Sequence, residues 1–125
     1  MRLSAQQVEP EPLQALAAEA SRLLIAGKFS ELAARFGYAV SLDRSPSAAI
    51  QEDLSAGLAQ LQAAALDLGA EPTVHVKYFE SSDHLFALAE CRLATVGGSP
   101  LLLELVVSVA GKNFHATLEQ ISAAA

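Results

Sequence analysis

The chain has 125 residues, 52% of them hydrophobic, and a mean hydropathy of +0.32, which is enough to bury one core and excludes a disordered chain. Its formal charge is −6, from 8 Lys or Arg against 14 Asp or Glu, and without a basic cluster no nucleic-acid partner is expected. No apolar run approaches the roughly 20 residues of a spanning helix, the amino terminus lacks a secretory apolar stretch, and a lone Cys91 permits no intramolecular disulfide, so a single cytoplasmic domain over residues 1–125, not associated with a membrane, is expected.

Residues 1–10 read as a loose lead-in. Pro12 suits a first helical turn, with Glu9 and Glu11 favourably placed for the helix dipole. From there Leu13, Leu16, Ala17, Ala20, Leu23 and Leu24 follow the spacing of an amphipathic helix, and Gly27 is its expected stop. A short helix over Ser30 to Phe36 follows, capped by Ser30 and closed by Gly37. Tyr38 to Asp43 reads as a short strand. Ser45 and Pro46 then open a third helix, whose stripe of Ile50, Leu54, Leu58, Leu61, Ala65 and Leu68 predicts that it runs to Gly69.

From Val74 to Ile121 the period changes to two, the mark of strands with unlike faces. In the first run Val74, Val76 and Tyr78 alternate with His75, Lys77 and Phe79, and Ser81-Ser82-Asp83 supplies turn residues. A second run, His84 to Thr95, sets Leu85, Ala87, Ala89, Cys91 and Leu93 against Phe86, Leu88, Glu90 and Arg92. After the break at Gly97-Gly98-Ser99-Pro100, Leu101 to Ala110 sets Leu101, Leu103, Leu105, Val107 and Val109 against Leu102, Glu104, Val106 and Ser108. Past Gly111-Lys112, Asn113 to Ile121 is expected as a last strand, with Phe114, Ala116 and Leu118 against His115, Thr117, Glu119 and Ile121. The stretch from Ala116 onwards would also tolerate a helix.

These runs predict an antiparallel meander in an α+β fold: helices packed on a curved, mostly antiparallel sheet. The wholly apolar face, led by Leu85, Ala87, Leu103, Leu105 and Val107, is the expected core. Arg92 is expected beside Glu104 as a cross-strand ion pair. Phe86, Leu88, Leu102 and Val106 put much apolar surface on the other face, which points to a homodimer packed through the sheet.

The order of elements and the segment Gly27-Lys-Phe-Ser-Glu-Leu-Ala-Ala-Arg-Phe36 resemble the nuclear-transport-factor-2-like (SnoaL-like, cystatin-like) superfamily. Its members carry a Gly-Asp-Phe-x-x-Leu-x-x-Leu-Phe segment after the first helix, with Lys28 here in place of the acid. Gly111-Lys112 is similar to the family's Asp-Gly-Lys turn. The resemblance spans about residues 11–121 and implies a cone-shaped roll, dimers in many members, and either acid–base enzymes or non-catalytic binding modules.

Isomerases of that type pair a base carboxylate with a tyrosine and a protonated acid. Asp43 falls near the place of the base, while Ala20 stands where the tyrosine would be and no second acid is evident. Asp43-Arg-Ser-Pro is equally ordinary turn and cap chemistry. Tyr38 and Tyr78 are candidates, with Asp43, to line a pocket, although such tyrosines also serve as packing groups with the hydroxyl at the rim. His75, His84 and His115 share no metal-binding spacing, and no cofactor motif occurs. Glu90 and Glu104 are an acid–base pair or, with Arg92 and Lys77, an ion-pair ladder. Cys91 reads as core. The expected function is a hydrophobic small-ligand-binding domain; an acid–base enzyme using Asp43 and a secretion-chaperone-like interaction protein are the alternatives.

Overall fold

The computed structural model describes residues 1–80 and 84–123; the turn expected at Ser81-Ser82-Asp83 lies outside them. The fold is α+β. Helices α1 (Pro10–Ile25), α2 (Phe29–Phe36) and α3 (Pro46–Gln60) precede most of the strands, which are β1 (Arg2–Leu3), β2 (Ala65–Leu66), β3 (Thr73–Tyr78), β4 (Leu85–Leu93), β5 (Thr95–Val96), β6 (Leu101–Ala110) and β7 (Asn113–Ala123). Five of them form an antiparallel sheet in the order β1-β7-β6-β4-β3, and β2 pairs with β5 in a separate ribbon. The carboxy-terminal run is therefore a strand, and the lead-in is not loose, since Arg2 and Leu3 pair with His115 and Phe114.

Helix α1 starts at Pro10, where the missing N–H costs nothing. It ends in a Schellman turn: the Lys28 N–H donates to the Leu23 carbonyl at 2.9 Å and the Gly27 N–H to the Leu24 carbonyl at 3.0 Å. Gly27 supplies the positive φ, 74°, that this closure needs. Helix α3 closes in the same way nine residues before the expected Gly69. The Ala63 N–H donates to the Leu58 carbonyl at 2.9 Å, and Gln62 takes the left-handed position at φ 56°. Its apolar spacing continues past this point, but the Ala64 N–H is bonded to the Val96 carbonyl at 3.0 Å and the Asp67 N–H to the Ala94 carbonyl at 2.9 Å. Pairing with the far strand β5 outcompetes two more turns of helix there. The expected strand at Tyr38–Asp43 is also absent. The Ala39 N–H reaches the sheet, at the Leu118 carbonyl, and Ser41 to Arg44 turn away.

The helices cover one sheet face, α1 over β3 and β4, α3 over β7 and α2. Leu101, Leu103, Leu105 and Val107 alternate into this core with Ala87, Ala89, Cys91 and Leu93 from β4, and all eight are fully buried. Small residues on the helices let them approach: a Cβ on Gly57 of α3 would lie 2.7 Å from the Leu101 side chain.

Two bulges alter the expected faces. Leu85 pairs with Ser108 but Ala87 with Val107, leaving Phe86 as the extra residue. Its ring stands beside Tyr78 and Phe114, with centroids 5.6 and 4.8 Å away, and packs against the helix-side core, while Leu85 is exposed. On β7, Glu104 pairs with Gln120 and Leu105 with Leu118, so Glu119 is extra and Ile121 is returned to the core. An extra residue in a strand of period two reverses the parity of everything beyond it.

Candidate functional site

Of the three residues expected to line a pocket, Tyr38 is buried and engaged. Its hydroxyl donates to Asp53 Oδ2 at 2.5 Å, and Arg44 Nη1 donates to Asp53 Oδ1 at 2.9 Å and to Glu52 at 3.2 Å. Arg44 also donates to the Val40 and Ser41 carbonyls, so one guanidinium ties the loop between α2 and α3 to the first turns of α3. Burial alone would raise the Asp53 carboxyl, but hydrogen bonds from Arg44 and Tyr38 outweigh it and hold Asp53 below its ordinary value. Burial and the bond to Asp53 push the Tyr38 hydroxyl far up, which keeps it a donor.

Asp43, the expected base, is exposed and takes no part in this network. The Tyr78 hydroxyl donates to the Val8 carbonyl at 2.8 Å and pins the amino-terminal segment across the sheet. The three side chains therefore do not converge. Asp53 is the acid that sequence reasoning missed. Its signal was available in the charge pattern, since Arg44 is the last basic residue before Lys77 and Glu52 and Asp53 are the next acids after it.

An apolar concavity lies elsewhere, where α3 stops early. The chain leaves the helix at Leu61 and returns as β2, opening an apolar cleft of about 270 Å³ lined by Leu24, Ile25, Phe29, Leu54, Leu58 and Leu66, with Gly27, Ala64, Ala65 and Leu68 at its rim. Among the described residues no charged side chain lines it. A second cleft of about 370 Å³ adjoins it and shares Ile25 and Leu68; Arg22, Ala26, Ala70, Glu71 and Pro72 complete its walls. Leu68 is 77% exposed between the two. Tyr38, Asp43 and Tyr78 line neither of these two clefts.

Comparison with family models, with curated proteins and with solved structures gives no match.

The uncovered face of the sheet carries Leu88, Leu102 and Val106, all half-buried, with Leu88 and Val106 directly paired across β4 and β6. The expected Arg92–Glu104 ion pair is not formed. Arg92 stands opposite Leu102, and Glu104 opposite Glu90, whose other neighbour is His75 on β3. Like charges directly across a sheet are unfavourable. Burial, then Glu90 and Glu119, accordingly raise the Glu104 carboxyl. Among the described residues, neither Arg92 nor Lys77 makes an ion pair, and no three His, Cys, Asp or Glu are grouped to hold a metal. Cys91 is buried with its thiol 3.7 Å from the Ala17 carbonyl, and burial pushes it up to about 11, which makes it a core group rather than a nucleophile.

Proposed function

We propose that this chain is a small-ligand-binding domain of the nuclear-transport-factor-2-like type, working as a homodimer. The observation that carries the ligand reading is the apolar cleft between the ends of α1 and α3 and the β2 ribbon. A concave site walled by leucines and a phenylalanine, next to a few polar groups, is the usual form of a small-molecule site. Three helices ahead of an antiparallel meander favour the family reading, and the turn at Ser41–Arg44, where a strand was expected, departs from it. The geometry of Asp43 gives no support to acid–base catalysis.

The dimer reading rests on the uncovered sheet face. Leu88, Leu102 and Val106 leave apolar area there, and among the described residues the face-to-face Glu90 and Glu104 have no ion-pair partner, which Arg92 and Lys77 of a second copy would supply.

The cleft is tested with N-phenylnaphthylamine, a neutral dye that brightens in apolar sites. Saturable binding to the wild type is expected, and Ala65→Trp, which fills the rim from an exposed position, should abolish it. Dye binding that survives Ala65→Trp, with the variant folded by circular dichroism, would remove the cleft from the proposal.

A further inference from the structure

We infer that the ligand is an amphipathic carboxylate, an aliphatic chain lying in the apolar cleft with its head group held by Arg22 in the adjoining one. This rests on the ligand-binding reading above and extends it to a chemical class. The two clefts are neighbours that share Ile25 and Leu68 in their linings, yet their walls differ in kind: one is uncharged, and the other holds Arg22 and Glu71 as its charged groups. A molecule spanning both must be apolar at one end and charged or polar at the other.

The sign of the head group follows from how the two charges are mounted. Arg22 projects from the last turns of α1, on the same rigid helix that supplies Leu24 and Ile25 to the walls. Glu71 lies in the segment between β2 and β3, and its side chain is 78% exposed against 57% for Arg22. Their contact, 2.9 Å from Arg22 Nη2 to Glu71 Oε2, is the one hydrogen bond of this guanidinium among the described residues, and its other donors can take a second carboxylate. Displacing a solvated carboxylate from a segment outside the helices and strands costs less than displacing a helix-mounted guanidinium. Glu71 therefore holds the place of the ligand's head group while the site is empty. Leu68, exposed and shared by both linings, would lie against the chain of a ligand that spans them.

The test is calorimetric titration of the full chain with decanoate, decanol and decylamine, with amide chemical shifts to locate binding. Decanoate should bind with shifts at Ile25, Ala26 and Leu68. Arg22→Gln should weaken decanoate about fivefold, as a partly solvated ion pair allows, and leave decanol unchanged. Glu71→Gln should tighten decanoate by a similar factor, an effect that a merely structural ion pair would not produce. Decanoate and decanol affinities that are both indifferent to Arg22 would overturn the head-group assignment while leaving the cleft in place. Decylamine binding that depends on Glu71 would overturn it in favour of a cation. Failure of all three to bind would end both this inference and the ligand-binding proposal.

Discussion

Asp53 shows how one side chain decides between a turn and a strand. With Tyr38 and Arg44 both bonded to it, the loop before α3 is held against the helix rather than added to the sheet. Tyr38→Phe removes a hydrogen bond to a charged acceptor and should cost about 1.5–3 kcal/mol in urea unfolding at neutral pH. The pH dependence has a definite sign. A carboxyl held below its ordinary value of 3.8 stabilises the fold in full above that pH, and the contribution is lost as pH falls through the lower folded value. Asp53→Asn should therefore be less stable than wild type at neutral pH, the gap closing in acid. A gap that persists unchanged well below pH 3.8 would mean that the charge on Asp53 is not what stabilises the loop.

At the scale of elements, the bulge at Glu119 governs which half of β7 is core. Because it reverses parity, Ile121 is buried and Gln120 exposed, although strict alternation from Phe114 assigns Ile121 to the opposite face. Ile121→Ala should cost about 2–4 kcal/mol, as for other large-to-small core changes. Gln120→Ala should stay within about 0.5 kcal/mol. Thermal unfolding of the two variants measures this directly, and the reverse ranking would place the strand in the unbulged register. The bulge at Phe86 acts likewise on β4, taking an aromatic ring from the uncovered face and setting it edge-to-face with Tyr78 and Phe114. The clefts have a similar origin. They exist because α3 yields to the β2–β5 ribbon, so the candidate site is a by-product of where one helix stops.

For the whole molecule, the decisive surface is the uncovered sheet face. Sedimentation equilibrium should give the mass of two chains for the wild type and of one for Leu88→Glu, because a carboxylate set between Val106 and Lys77 would be desolvated in the packed face and would draw Lys77 away from Glu90 and Glu104 of the other copy. A dimeric Leu88→Glu would put the interface on another surface, and a monomeric wild type would leave the face uncovered in solution. Phe86, expected in that interface, stands on the helix side and should not alter the assembly when replaced by leucine. Leu102 sits between Arg92 and Ser122 towards the end of the same face, and its replacement tests how far the contact extends.

Local pattern was sufficient for much of this fold. The period of 3.6 over Leu13–Leu24 and the period of two over β3, β4 and β6 are written in consecutive residues, and so are the stops at Gly27 and Gly37. Each follows from backbone geometry that a residue and its near neighbours determine. What the chain could not disclose depends on contacts between distant segments. The early end of α3 is decided by Val96 and Ala94, the pairing of Arg2 and Leu3 by β7, and the facing of Glu90 and Glu104 by a β4–β6 register that places Leu93 opposite Leu101 across the loop carrying β5. Hydrophobic spacing at Leu61, Ala65 and Leu68 is compatible with helix or ribbon; only the free energy of burial and pairing across the assembled fold selects between them. The candidate site lies at that choice. Its residues were all legible as apolar, but their convergence on a cleft beside Arg22 was decided by tertiary structure alone.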